Sequence, residues 1–557
     1  MRLLLRSALL VFALTASAQT PQPDPQLQRR PPNQHPADIT VTKQMVVLNI
    51  TIHDKEGKPV HGLTAADFSV LDENQPQTVS FVEEHAATQP EQVVALPKLP
   101  PGIYSNIPNA PVNDALNVIL LDAQDTSVRE QSRLFHDIQK LASTLPPGAR
   151  TAIVKLGTHL EIVCGFTADH DRLNACLNND AAWPSVPIPT SYLFGQTDAL
   201  AGLSEYLSQF PGRKNILWFS HYFPGANPSR SSDIPVDVGD SLQENALEDI
   251  IVGANSTKPS HIDVNDIALY PVDPAGVTAP AAFNASGGMG GLNAMNHIAS
   301  RNDALRTTQM DVIAHETGGK PLYGNNDLAA QAVRAIQDGS SYYTIAWSPK
   351  NLHIGAFHHV DISLSHHSGA KLNYRPGYRA LPESTTASYA QNHPLPASLQ
   401  HGSPDADGLL FRVRVQPAPV QPDLTNPSAR VGQFAAQLKQ PLRYVIDWAV
   451  DPRRLVTQAP PADQPEPGTA FTVVAYDADG KLLNYVADAT SNVNAPPVEK
   501  GGLQFHQFID LPKGNLYLRL QAVGSDGRTG STEIAIKAEP PATPAAAAAP
   551  AQTTPSR

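Results

Sequence analysis

Apolar and polar residues alternate along 45–52, and the pattern returns at Phe68 and Val70 and along 78–83. A period of two buries one face of a strand and leaves the other to solvent. Asp-, Asn- and Gly-containing turns at 53–58 and 72–74 separate these segments,. The spacing predicts short strands forming a small β-sandwich over 38–88,.

The pattern changes after residue 112. Residues 118–121 are an unbroken apolar run that ends in Asp122, as expected of a central parallel strand covered on both faces,. Ser-Val-Arg-Glu at 127–130 fits a capping box, and Leu134, Ile138, Leu141 and Leu145 then repeat at helical spacing,. Further strands are predicted at 151–156, 160–164, 215–220, 267–272 and 320–323. Helices are predicted at 169–177, 197–210 (with Leu200, Leu203 and Leu207 on one face), 310–316 and 328–337. The weakly patterned stretches 225–260 and 276–305 read as insertions,. Six strands with intervening helices predict an α/β, Rossmann-like fold over 112–380, with a doubly wound, mostly parallel sheet,.

Strands at 341–347, 357–364 and 371–374 extend or flank that sheet. A second run of strands, with hairpin turns at 477–481 and 525–528, predicts a C-terminal β-sandwich over 405–537,. The intervening 89–111 and 381–404 read as linkers, 19–37 as a Pro/Gln-rich disordered spacer and 538–557 as a disordered Pro/Ala tail,.

The first residues have the texture of an export signal. Arg2 and Arg6 precede a short apolar core at 8–16 and a small-residue cleavage site, giving a signal peptide at 1–18,. No later run is long enough to span a bilayer, and no cysteine follows the cleavage site, which argues against a lipid anchor. The expected location is periplasmic or secreted. Lys and Arg total 40 against 52 Asp and Glu, a formal charge of −12, with no basic block. That balance disfavours nucleic acid and an anionic membrane surface as partners. Cys164 and Cys176 are compatible with one disulfide in an oxidising compartment, or equally with two buried thiols in adjacent elements,.

Several stretches resemble the exported bacterial proteins that carry a von Willebrand factor type A (VWFA)-related domain. They are VHGLTAADFSV at 60–70, 117–126, Leu-Pro-Pro-Gly at 145–148, PGRKNILWFS at 211–220, Leu-Tyr-Pro-Val-Asp at 269–273, Glu-Thr-Gly-Gly at 316–319 and Ser-Tyr-Tyr-Thr at 341–344. The resemblance covers roughly 39–380 and implies a Rossmann-like A domain with a protein-binding role.

It also implies a metal-ion-dependent adhesion site built from an Asp-x-Ser-x-Ser loop, a Thr and a further Asp. Mg²⁺ or a similar cation would take such hard oxygen ligands and leave one position for a partner carboxylate. Asp122 and Thr126 match the first loop, Gln124 replaces its first serine, and Thr197 heads its helix where the Thr would sit. Ser220-His221 stands where the last Asp is expected, and Asp125 is an extra carboxylate. The expectation is a degenerate site. Asp122, Thr126 and Thr197 are its metal candidates, Asp122, Gln124, Asp125, Thr126 and His221 face a protein partner, and the cofactor is none or a weakly bound Mg²⁺. The competing reading is structural, with Thr126, Ser127 and Thr197 as helix caps and Asp122 accepting backbone amides.

Other clusters carry less. His358 and His366 would share a face only if their strand ran straight through, and a solvated strand edge is the simpler reading,. The Asp-Ala-Asp-Gly runs at 405–408 and 477–480 lack a calcium loop's closing Glu and read as turns,. No Gly-x-Ser-x-Gly elbow, His-Glu-x-x-His or phosphate loop is present,. The expected function is therefore a non-enzymatic binding or scaffold protein of the cell envelope. The alternative is an exported hydrolase, or another enzyme with no recognisable motif.

Overall fold

A computed structural model of the chain describes residues 45–540, apart from 90, 91, 95, 124–127, 158–159, 179–192, 222, 224–265, 277–291, 368, 381–394, 419–430, 451–468, 478–479, 490–502 and 525–526. The described residues belong to one unit, Met45–Arg557. The predicted insertion 225–260, residues 277–291 of the second one, the terminal segments 1–44 and 541–557, and Ser127 of the expected capping box lie outside the described residues. The architecture is mixed α/β and rich in sheet.

The N-terminal strands are β1 (Val46–His53), β2 (Phe68–Asp72), β3 (Gln75–Gln77) and β4 (Val79–His85). Of these, β2 alternates as expected, with Phe68, Val70 and Asp72 buried, whereas β1 is buried throughout from Leu48 to His53; the four do not form a module by themselves. Their partners are β11 (Tyr342–Trp347), β12 (Phe357–Leu364), β13 (Lys371–Asn373) and β14 (Gly377–Arg379). The two resulting sheets run β13-β1-β11-β4 and β14-β12-β2-β3. Val46 pairs with Trp347, and Val70 with Ile362. The expected self-contained sandwich at 38–88 is thus corrected to a composite one, and the α/β region gives up its last strands to it. The reason is burial. Ile345 and Trp347 are fully buried in one apolar cluster with Leu48, Ile50 and Val70,.

In sequence, the α/β layer falls between these two sets of strands. Its strands are β6 (Leu116–Asp122), β7 (Arg150–Leu156), β8 (Leu160–Thr167), β9 (Lys214–Phe219) and β10 (Ile267–Val272), in the order β10-β9-β6-β7-β8. Four are parallel and β8 is antiparallel to β7. Leu156 and Leu160 are too close in sequence for the crossover that a parallel pair needs. The expected sixth strand at 320–323 is reduced to a single bridge between Leu322 and Val272, since Pro321 offers no amide to a ladder.

Helices α1 (Val128–Thr144), α2 (His170–Leu177) and α5 (Leu328–Ser340) pack with Ile119, Leu121, Ile153, Leu217 and Phe219. The alternate strand residues Val118, Leu120, Val154, Ile216 and Trp218 pack with α3 (Leu193–Ser208) and α4 (Leu292–Thr317). Helix α4 begins well before the expected 310, inside the stretch read as an insertion up to 305. From Leu292 to Thr317 the sequence holds no Gly or Pro to oppose a helix,. Cys164 of β8 and Cys176 of α2 are joined as a disulfide.

The C-terminal strands form two sheets. One joins β15 (Ala406–Asp407), β22 (Thr529–Ala538), β21 (Gly514–Val523), β18 (Ala470–Tyr476) and β19 (Leu482–Ala489) in that order. The other joins β20 (Leu503–Leu511), β17 (Leu442–Val450), β16 (Phe411–Pro417) and β5 (Ile103–Ser105). Thus the expected linker 89–111 supplies an edge strand, with Tyr104 opposite Val413.

The described part of the other expected linker, 395–404, is packed rather than loose. Phe166 donates its amide to the Gly402 carbonyl at 3.0 Å. At Gly165 the two backbones meet so closely that a Cβ would lie 2.4 Å from the Gly402 Cα. Arg172 of α2 reaches Asp405 at 3.4 Å and Glu533 at 3.5 Å. The fully buried Arg519 bonds Asp405 at 2.8 Å and the carbonyls of Ser398, Ser403 and Pro404. Asp405 is therefore an ion-pair partner of two arginines rather than a simple turn residue.

Candidate functional site

The carboxyl ends of β6, β9 and β10 define the site. Leu121 is in register with Phe219, and Phe219 with Val272. The next residues, Asp122, Ser220 and Asp273, consequently form one row across three adjacent parallel strands, about 4.8 Å apart per step. All three are buried. Open α/β sheets place their ligands at this end.

Each member of the row is held by a different partner. The Ser220 hydroxyl donates to Asp122 Oδ2 at 3.0 Å, and the Ser220 amide donates to the Val272 carbonyl at 3.2 Å. Asp273 Oδ1 accepts the Ala275 amide at 2.9 Å, and its Oδ2 is paired with Arg306 Nη2 at 2.9 Å. Arg306 Nη1 faces His221 Nδ1 at 3.5 Å. A guanidinium only donates, so Nδ1 is the accepting nitrogen of His221. Just beyond the row, Gly276 adopts φ +67°, and a Cβ there would lie 2.7 Å from Asn326 Oδ1 and 3.3 Å from Arg133 Nη2. A glycine is what lets the chain pass under these two side chains.

The expected site residues fare differently. Asp122 and His221 are brought to this end of the sheet. Thr197 lies in the second turn of α3, which begins at Leu193, so it does not head the helix as expected. Gln124, Asp125 and Thr126 lie outside the described residues. Asp273 and Arg306 were not foreseen as site residues. Asp273 carries the same signature as Asp122, an apolar strand ending in a carboxylate. Arg306 falls on the helical stripe that continues through Met310 and Ile313.

Among the described residues no group of three or more His, Cys, Asp and Glu side chains converges on a point. A cation such as Mg²⁺ needs several oxygens free to face it. Here Asp273 is engaged by a guanidinium and an amide, which leaves Asp122 and Ser220 as the row's other oxygen groups. By themselves these described residues are too few to hold a resident Mg²⁺. The histidine pairs do not form a metal site either, because β12 stops at Leu364. His358 is buried, with Nδ1 3.0 Å from Asp72 Oδ1 and Nε2 accepting the His353 amide at 3.2 Å, whereas His366 is exposed.

One chain of groups has the order of a hydrolase triad. Asp114 Oδ2 lies 2.7 Å from His85 Nδ1, and His85 Nε2 lies 3.0 Å from Thr344 Oγ1. The His85 hydrogen bond holds the Asp114 carboxyl below the usual carboxylate range,. The Thr344 hydroxyl, however, donates at 2.6 Å to Asn49 Oδ1, whose own amide is fixed on Asp266 at 3.0 Å. Its proton is directed away from the imidazole, so the chain of bonds ties the composite sandwich to the α/β layer and offers no activated nucleophile.

No family model matches the chain, and no curated protein matches it in sequence. Among solved structures, a von Willebrand factor type A protein from Catenulispora acidiphila is similar at 9% identity and TM-score 0.24, over 59% of this chain and 80% of that one. BatB from Bacteroides thetaiotaomicron matches at 12% identity and TM-score 0.23, over 41% of this chain and 98% of its own. Proximal thread matrix protein 1 from the mussel byssus matches at 7% identity and TM-score 0.23 over 41% of this chain, which spans 48% of that protein's length.

Proposed function

We propose that this is an exported binding or scaffold protein of the cell envelope. In this reading its α/β layer is a VWFA-related domain of the Rossmann-like, doubly wound kind, which contacts a protein partner at the carboxyl end of its sheet. One observation carries the proposal: Asp122, Ser220 and Asp273 stand in register at the strand ends, with His221 and Arg306 beside them. Helices on both faces and polar side chains gathered at one end support a recognition role for that end. The two β-sandwiches then serve as the frame. Export rests on the sequence pattern of 1–18, and among the described residues no helix is long and apolar enough to cross a membrane.

A photo-crosslinking amino acid placed at His221 tests the binding face. It should trap a discrete partner in envelope extract, with or without chelator. The same group at Thr144, an exposed residue at the far end of α1, should not. Equal patterns from the two positions, or no adduct from either, would refute the reading. The enzyme alternative would gain from a described nucleophile whose proton faces a base, and Thr344 is not one.

A further inference from the structure

Helix α4 presents a buried stripe at i, i+4, i+7 and i+11, formed by Arg306, Met310, Ile313 and Thr317,. Met310 and Ile313 join the apolar layer against the sheet. Thr317 Oγ1 accepts the Leu269 amide of β10 at 3.0 Å. From Thr317 to Arg306 the helix advances about 16 Å, and from Leu269 to Asp273 the strand advances about 13 Å. Packing of the stripe thus delivers the guanidinium to the end of β10, where it meets Asp273 at 2.9 Å and faces His221 at 3.5 Å. Its side chain is only 10% exposed.

An arginine stays charged at any physiological pH. A permanent positive charge therefore stands at the row where two buried carboxylates, Asp122 and Asp273, end their strands. We propose that Arg306 is the resident cation of this site. Its guanidinium takes the place that a divalent ion would otherwise hold beside Asp273. A carboxylate left buried without a counter-charge is costly, and Arg306 supplies that charge from within the fold. A divalent ion entering the row would meet the guanidinium's repulsion and would have to displace it from Asp273. The consequence for partner binding rests on the function proposed above. The charge assignment does not, and its test reads metal directly.

The full chain is heated with MnCl₂ or MgCl₂ as the only added cation. Wild-type Tm should move by less than about 1 °C. Arg306→Met should melt lower, and Mn²⁺ should raise its Tm by roughly 3–8 °C. Adding Asp273→Asn to that variant should abolish the rise, and Arg306→Lys should ignore the metal as wild type does. Arg306→Gln is run in parallel in case the Met variant folds poorly. Mn²⁺-dependent refolding of either variant supports the proposal. A Mn²⁺ response in wild type that Asp122→Asn removes would overturn it, as would indifference of both neutral variants to Mn²⁺, folded or unfolded. Failure of crosslinking at His221, with these metal responses intact, would sink the binding face and leave the charge assignment standing.

Discussion

Glu533 and Asp72 show how single carboxylates are committed in this fold. Burial alone would push the Glu533 carboxyl up, but the His401 hydrogen bond and the charges of His401, Arg172 and Arg519 outweigh it and hold the pKa at about 2,. With an ordinary value of 4.5, the group contributes stability above about pH 4.5 that is lost as pH falls toward 2,. Glu533→Gln should cost roughly 3 kcal/mol at pH 7 and flatten the acid limb of stability between those values, as followed by urea melts at stepped pH. Asp72 accepts from Tyr378 at 2.7 Å and Trp347 at 3.2 Å as well as facing His358. Burial, and then the Asp72 hydrogen bond, push the Tyr378 hydroxyl up. An amide at position 72 cannot accept on both arms, so Asp72→Asn should destabilise by about 3 kcal/mol in urea. His358, which the sequence reads as part of a solvated strand edge, belongs to this buried set. Nothing in a period-two pattern says which neighbour will cover a given side chain.

At the scale of elements, the sequence shows what each segment is better than what it pairs with. The runs ending in Asp122 and Ser220 are legible because a fully covered strand must be apolar on both faces. The antiparallel β8 was within reach as well, since only three residues separate it from β7. The partners of β1 and β2 were not. Alternation shows that a face is buried and is silent on whether the cover lies ten or three hundred residues away. The candidate site divides the same way. Asp122 and His221 come from the loops the pattern singled out, while Asp273 and Arg306 enter through strand register and helix packing. The disulfide is an element-level device, tying the edge strand β8 to α2 across a separation of 12 residues. Replacing Cys164 and Cys176 by Ser should cost up to about 3 kcal/mol in the chain-entropy view. Reductant should lower wild-type stability to the same level and leave the double variant unchanged.

For the molecule as a whole, the boundary at 112 that the sequence implies is not a place to cut. A fragment 112–380 would keep β11 and β12 without β1 and β2, exposing Ile345, Trp347 and Ile362. It should aggregate, and co-expression with 45–111 should restore soluble protein, measured by size-exclusion chromatography. The same interleaving sets a clock during synthesis. Val46 waits about 300 residues for Trp347, which at ribosomal speed is about 15–60 s. Until then an apolar strand that is buried in the finished protein has no cover, and β5 waits longer still for β16. These sheets cannot close as the chain emerges, and the delay is written into its strand order.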